Sequence, residues 1–283
     1  INQLKKLGCS CDWTRERFTM DDAYARKVQE VFVDLHAKGL IYRGKRMVNW
    51  CPVSLTALSD EEVIPKTQKS FFYHYRVEVV EKPGTFLEIA TTRPETIMAD
   101  AAVAVNPKDP RYAALIGLHV RRPLPANIEA LLPIIGDEAV DFEFGTGVLK
   151  VTPAHDKTDY EIGLRHNLPV VDIFNPDATL NELAGEEFAG LDRFEARKRI
   201  LEDLKQQGML EKLEPYTLPL GRCQRCKTPV EPRLSTQWFV KVAPLAEAAI
   251  KAVEPSFVLM FGSAPLSSSS RITVISPFSA ARI

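Results

Sequence analysis

The chain has 283 residues, 45% of them hydrophobic and 26% charged, which supplies a buried core and predicts about two domains. Its net charge of −1 excludes a protein-wide basic field. Any nucleic-acid contact would have to use local patches such as Arg43, Lys45 and Arg46, Arg121 and Arg122, or Arg197, Lys198 and Arg199, each of which also reads as a solvated face. Five cysteines and the lack of a leader-like segment predict a reducing, cytoplasmic setting, and the apolar run Phe257 to Phe261 is too short to span a bilayer.

Residues 1–65 begin on Ile1 rather than Met, so a native N-terminus is not expected there. Thr19, Asp21 and Asp22 mark a helix start, Val28, Val31, Phe32 and Leu35 follow helical spacing, and Gly39 is a C-cap. A strand is expected from Leu40. Residues 66–215 read as a β-rich domain. Phe71 to Val80 and Thr85 to Thr92 form a hairpin through Pro83-Gly84, and short strands follow at 102–105, 132–135 and 147–151. Helices are expected from Asp156 and over about 192–207, the latter with Ile200, Leu201 and Leu204 on one face and Gly208 as its stop. Residues 216–254 leave this domain through a proline-punctuated segment. Residues 255–283, with the run Ser267 to Ser270, read as divergent and disordered.

Two stretches about fifty residues apart carry the densest chemistry. Thr91-Thr92-Arg93-Pro94-Glu95-Thr96 closes a strand and opens a short helix, with Thr92 as N-cap and Pro94 early in it. Its free N–H groups, hydroxyls and arginine suit a phosphate or carboxylate, although an ordinary capped turn has the same residues. In the second, Phe144 to Tyr160, Gly145 and Gly147 permit close backbone approach. Lys150 and Thr152 share one strand face. Asp156 and Asp159 sit three apart at a helix start, where they can bind an ammonium group and order a water, or serve only as cap and dipole partner. His155 with these acids matches no zinc spacing. Cys223-Gln224-Arg225-Cys226 is a knuckle whose only second half is Cys51-Pro52-Val53-Ser54. Structural zinc on Cys51, Cys223 and Cys226 and a metal-free remnant both stay open.

Several motifs occur in an order similar to that of the large class I aminoacyl-tRNA synthetases for valine, isoleucine and leucine. They are Gly8 to Trp13, Arg15 to Asp21, Gly39 to Gly44, Val48-Asn49-Trp50, Leu58 to Val63 and Gln237-Trp238-Phe239-Val240. The chain resembles this group over about residues 1–254, and Glu95 resembles the valyl branch. The resemblance implies an α/β protein in which a β-rich, barrel-like editing domain with helices is inserted into a Rossmann-type core that is incomplete here. Residues 1–65 would be core and stem, 66–215 the editing domain, and 216–254 the return to the core. It also implies hydrolysis of threonine from the 3′ end of mischarged tRNA(Val). A valine-selective pocket rejects near-isosteric threonine poorly, which is an established property of such enzymes. Asp159, Asp156, Lys150 and Thr152 would be catalytic, with Asp159 on the ammonium. Thr91, Thr92, Arg93, Glu95, Thr96, Phe144, Gly145, Gly147 and His155 would hold the tRNA end. Hydrolysis would need no cofactor. ATP with Mg, and valine, would belong to a full-length ligase, a cytoplasmic monomer without membrane contact. Neither the HIGH-type nor the KMSKS-type nucleotide motif occurs here, so valine activation by this chain is not expected. The alternatives are the editing region of an isoleucyl or leucyl enzyme, a free-standing deacylase, and a non-enzymatic tRNA-binding module.

Overall fold

The computed structural model describes the backbone of residues 1–261 and the side chains of residues 1–253. It divides into two compact units, one of Lys45–Gln237 and one of Ile1–Gly44 with the chain from Trp238 onward.

The larger unit is built on a long antiparallel ribbon. Strand β1 (Ile41–Cys51) pairs with β2 (Thr56–Leu58), and β3 follows over Val63–Glu78. The predicted hairpin is present: β4 (Phe86–Thr91) pairs with β3 from Tyr73↔Thr91 to Glu78↔Phe86, and Gly84 turns at φ +82. Four further strands, β5 (Ala102–Val105), β6 (His119–Arg121), β7 (Leu131–Gly136) and β8 (Val148–Val151), form a sheet in the order β6-β7-β5-β8. Helices α3 (Lys157–Arg165) and α4 (Arg193–Gln206) follow, capped by the side chains of Asp156 and Asp192. Strand β9 (Leu210–Cys223) then returns along β3, giving the order β4-β3-β9, and β10 (Glu231–Val240) lies beside β1.

The sheets are open among the described residues, so the barrel-like closure expected from sequence is replaced by separate sheets sharing a core. Period-two alternation explains how β5 serves two cores. Val103 and Val105 join Tyr75, Val77, Leu87, Ile89, Ile134 and, from α4, Ile200 and Leu204. Ala102 and Ala104 point the other way and pack with Val151 and Ile162 of α3. Small residues there allow α3 to lie close: a Cβ on Gly163 would meet Pro153 at 2.8 Å.

Strand β9 differs from the expected proline-punctuated exit. Its Pro215 and Pro219 pair with Phe71 and Thr67, and Pro65 of β3 with Gly221. Proline is tolerated because β9 is an edge, and β3 is itself an edge over 63–72, beyond the reach of β4.

In the smaller unit, α1 (Asn2–Lys6) precedes α2 (Asp22–Ala37). Asp21 caps α2 by accepting the Tyr24 N–H at 2.7 Å, and Gly39 ends it at φ +68. The predicted apolar stripe exists, yet α2 has no buried residue, and Val31 is 50% exposed. Helix α5 (Ala243–Phe261) runs into the stretch read as irregular, and the remainder of that tail, 262–283, lies outside the described residues. No described helix is long and apolar enough to cross a membrane.

Candidate active site

The two chemistry-rich stretches meet. A cavity of about 480 Å³ in the larger unit is walled by Thr91, Thr92, Arg93 and Thr96 on one side. Phe144, Gly145 and Gly147, then Lys150, Thr152, His155, Asp156 and Asp159, wall it on the other. The volume suits a small organic ligand.

Hydrogen bonding sorts these residues into those committed to the fold and those left open. Asp156 is the α3 cap, its Oδ1 accepting the N–H groups of Thr158 at 2.8 Å and Asp159 at 3.1 Å. Asp159 is 6% exposed and accepts the Thr152 N–H at 2.8 Å. Burial and the neighbouring Asp156 charge push its carboxyl up to about 7 against the pull of Lys150 and the Thr152 N–H. The shared face of Lys150 and Thr152 is confirmed by the bond from Lys150 Nζ to Thr152 Oγ1.

Both of those residues also close onto Asp100. It accepts from Lys150 Nζ and Thr152 Oγ1 at 2.7 Å each, and burial raises its carboxyl despite the lysine. Sequence reading missed Asp100. Its only local signal is an acid directly after the turn Pro94–Ala99, and its partners lie fifty residues along the chain.

Several expectations change. The Pro94–Ala99 segment is a 3₁₀ helix without a side-chain cap. Thr91 rather than Thr92 organises its start by accepting the Arg93 N–H at 3.1 Å. Thr96 Oγ1 donates to the Arg93 carbonyl at 3.0 Å. Glu95 does not wall this cavity. It is buried behind the turn and receives Arg197 twice, at 2.8 and 2.9 Å, and Arg93 at 3.3 Å. Burial pushes its carboxyl up, but the Arg197 and Arg93 guanidinia hold it below the usual range.

Arg93 spends its charge on Glu95 and Glu231 and donates to the His155 carbonyl at 2.8 Å. His155 borders the cavity with a committed ring: Nε2 accepts the Ile173 N–H at 3.1 Å. Burial, with Arg93, Lys150 and Arg233 nearby, keeps it neutral. Gly147, at φ +75, makes room for Arg111 rather than a ligand, since a Cβ there would sit 2.5 Å from Nη2. Gly145, at φ +59, has only Ala90 near its open side. Phe144 is 56% exposed at the mouth and meets Phe72 at 5.8 Å between ring centroids.

The three cysteines also meet. The sulfurs of Cys51, Cys223 and Cys226 lie within 4.8 Å of one another, and Cys51 Sγ is 3.4 Å from Cys226 Sγ. Three thiolates at this spacing fit three corners of a zinc tetrahedron with bonds of about 2.3 Å. Ser54 offers no fourth charged ligand, and its backbone N–H donates to Cys51 Sγ at 3.3 Å. Such an ion would tie β1 to the end of β9, away from the cavity.

The family model for tRNA synthetases class I (I, L, M and V) matches residues 1–266, and the chain belongs to that family. Among curated relatives it is most similar to valine–tRNA ligases. It is 53% identical to that of Geobacter sulfurreducens over 254 residues, 90% of this chain and 28% of that protein. It is 53% identical to that of Solibacter usitatus, over 89% of this chain and 29% of that protein. It is 51% identical to that of Thermotoga maritima, over 92% of this chain and 29% of that protein. The chain thus spans under a third of the length of the relatives it matches. A solved LeuRS–tRNA complex from Agrobacterium radiobacter K84 aligns over 82% of this chain and 39% of its own, at 20% identity and a TM-score of 0.39.

Proposed function

We propose that this chain is the editing region of a valine–tRNA ligase and that its cavity hydrolyses threonine from mischarged tRNA(Val). The observation that carries the reading is Asp159: a buried carboxylate at a cavity wall that makes no ion pair among the described residues. An aminoacyl ester brings the missing cation as its ammonium group. The similarity to valine–tRNA ligases supports threonine, the near-isostere such an enzyme has to remove.

In this reading Asp159 holds the ammonium. The free oxygen of Asp156 accepts the threonine hydroxyl, and valine in its place would leave that acceptor unpaired at about 1–3 kcal/mol. Lys150 and Thr152, held in place by Asp100, orient the attacked carbonyl. Thr91, Thr92 and Phe144 border the space for the terminal nucleoside. Water attacks the carbonyl carbon and the bond from that carbon to the ribose oxygen breaks; one water proton passes to the departing ribose oxygen and the other is released as the amino acid's carboxyl ionises. Positioning and charge stabilisation supply the rate. ATP with Mg, valine activation, a monomeric state and a cytoplasmic setting belong to the proposed full-length ligase.

The test is hydrolysis of threonyl-tRNA(Val) and valyl-tRNA(Val) by this chain, its Asp159→Ala variant and an Asp203→Ala control. The reading requires faster loss of threonine than valine, abolished by Asp159→Ala and kept by the control. Equal rates for wild type and Asp159→Ala would refute it.

A further inference from the structure

The three-sulfur cluster borders no part of the cavity, and the hydrolysis makes no use of it. Its place in the chain gives it a different meaning. Cys51 ends β1, the strand that leads into the ribbon. Cys223 ends β9, the strand that leads back, and Cys226 lies in the turn before β10. Cys51 and Cys226 are 175 positions apart, yet their sulfurs touch at 3.4 Å. A bond between them would close everything from β2 to β9, both helices included, into one loop.

Backbone hydrogen bonds hold the two sulfurs face to face. In the turn that carries Cys226, the Cys223 N–H donates to the Thr228 carbonyl at 2.9 Å and the Lys227 N–H to the Cys223 carbonyl at 2.9 Å. The Gln224 N–H ties the same turn to the Glu62 carbonyl at 2.8 Å. On the other side, the Ser54 N–H donates to Cys51 Sγ at 3.3 Å. The sulfur separation exceeds the about 2.05 Å of a disulfide by a distance that small side-chain rotations cover.

Access orders the thiols. Cys51 is 0% and Cys223 1% exposed, packed with Leu58, whereas Cys226 is half-buried and open to a small solute. Ser54 stands where a fourth sulfur would complete a metal's ligands, so an ion held by the remaining three protects them less than a full tetrahedral set would.

We propose that Cys226 and Cys51 are an oxidative modification site, at which hydrogen peroxide converts the two thiols into a disulfide that closes residues 51–226 into a loop. Peroxide first transfers an oxygen to Cys226 Sγ. The O–O bond breaks, an S–O bond forms, and one water leaves behind a sulfenic acid. Cys51 Sγ then attacks that sulfur. The S–S bond forms, the S–O bond breaks, and the departing hydroxyl leaves as a second water with the Cys51 proton. Two thiols together lose two electrons, and one peroxide becomes two waters. An excess of a small thiol reverses the bond by exchange. The inference stands independently of the editing reading.

The experiment treats the full chain with hydrogen peroxide, maps its peptides without reduction by mass spectrometry, and follows its thermal unfolding. A linked peptide pair containing Cys51 and Cys226 is expected, two mass units below the sum of the separate peptides. The oxidised chain should unfold about 5 °C or more above the reduced one, because the link removes freedom from a long unfolded loop. Dithiothreitol should abolish both changes. Cys226→Ser, a substitution at the half-buried position, should show neither change on oxidation. A cluster link confined to Cys223 and Cys226, or Cys226 oxidised to sulfinic acid with Cys51 still free, would overturn the proposal. So would an unfolding midpoint that rises equally in Cys226→Ser, since the exposed Cys9 and Cys11 would then be the source.

Discussion

Two carboxylates, Glu95 and Asp159, lie on either side of the Thr92–Arg93 turn, and both are buried. Glu95 is surrounded by guanidinium groups that keep it ionised; Asp159 has backbone, a second acid and only a nearby lysine that is itself paired with Asp100, and is pushed up to about 7. Burial alone does not distinguish scaffold from site. The compensating charge does: where the fold supplies it, the acid holds elements together, and where the fold withholds it, a ligand can supply it.

The strongest way to break this contrast is to remove Glu95. Glu95→Ala leaves Arg197 and one side of Arg93 buried without their carboxylate and is expected to cost about 3–5 kcal/mol of unfolding free energy in a denaturant titration. A cost below about 1 kcal/mol would show that the array is not a compensated one. Asp159→Ala should behave in the opposite way. Deacylation of threonyl-tRNA(Val) is expected to fall by about 10²–10³, equivalent to about 2.7–4 kcal/mol of transition-state stabilisation, with unfolding free energy unchanged or raised.

A third measurement uses pH. Burial lifts Asp159 from an unfolded value near 3.8 to about 7, so the folded chain holds the extra proton. Its contribution to stability is complete below about pH 4 and is lost as pH rises through about 7. Glu95, held below its usual range, contributes in the opposite sense: its stability is present above its unfolded value and is lost only as pH falls below that. Unfolding free energy should therefore decline between about pH 4 and 7 in the wild type, and Asp159→Asn should flatten that decline. Deacylation should rise around pH 7, where the ammonium-binding carboxylate forms. A profile identical in Asp159→Asn would locate the titration elsewhere. The smallest expected effect concerns the thiols, which have neither a matched cation nor a full ligand set. Elemental analysis should find less than one equivalent of zinc, and Cys223→Ser should remove it; a full equivalent that survives Cys223→Ser would contradict the three-sulfur site.

Local signals in the sequence reached far along the chain. The hairpin at Pro83-Gly84, the Asp156 and Asp192 caps and the shared face of Lys150 and Thr152 were legible because each depends on residues a few positions apart. The resemblance to the synthetases joined the two halves of the cavity, which spacing alone left open. Asp100 and Glu231 were not legible, because their meaning lies in partners 50 and 138 residues away. Glu95 was read as binding the tRNA end, and motif position did not reveal that its carboxylate is buried against Arg197 and Arg93. β9 was misread because proline marks a break in most strands and only the pairing shows that this one is an edge.

Those same prolines bear on how the chain behaves among copies of itself. A strand edge that pairs over thirteen positions with β3 presents a long row of backbone groups to solvent, the kind of surface that recruits a further strand and seeds aggregation. Pro215 and Pro219 each remove an N–H from β9, and Glu211, Lys212 and Glu214 add charge along it. An incoming strand finds an interrupted row of donors and a charged border. The ribbon that carries the cavity wall can be long without becoming adhesive.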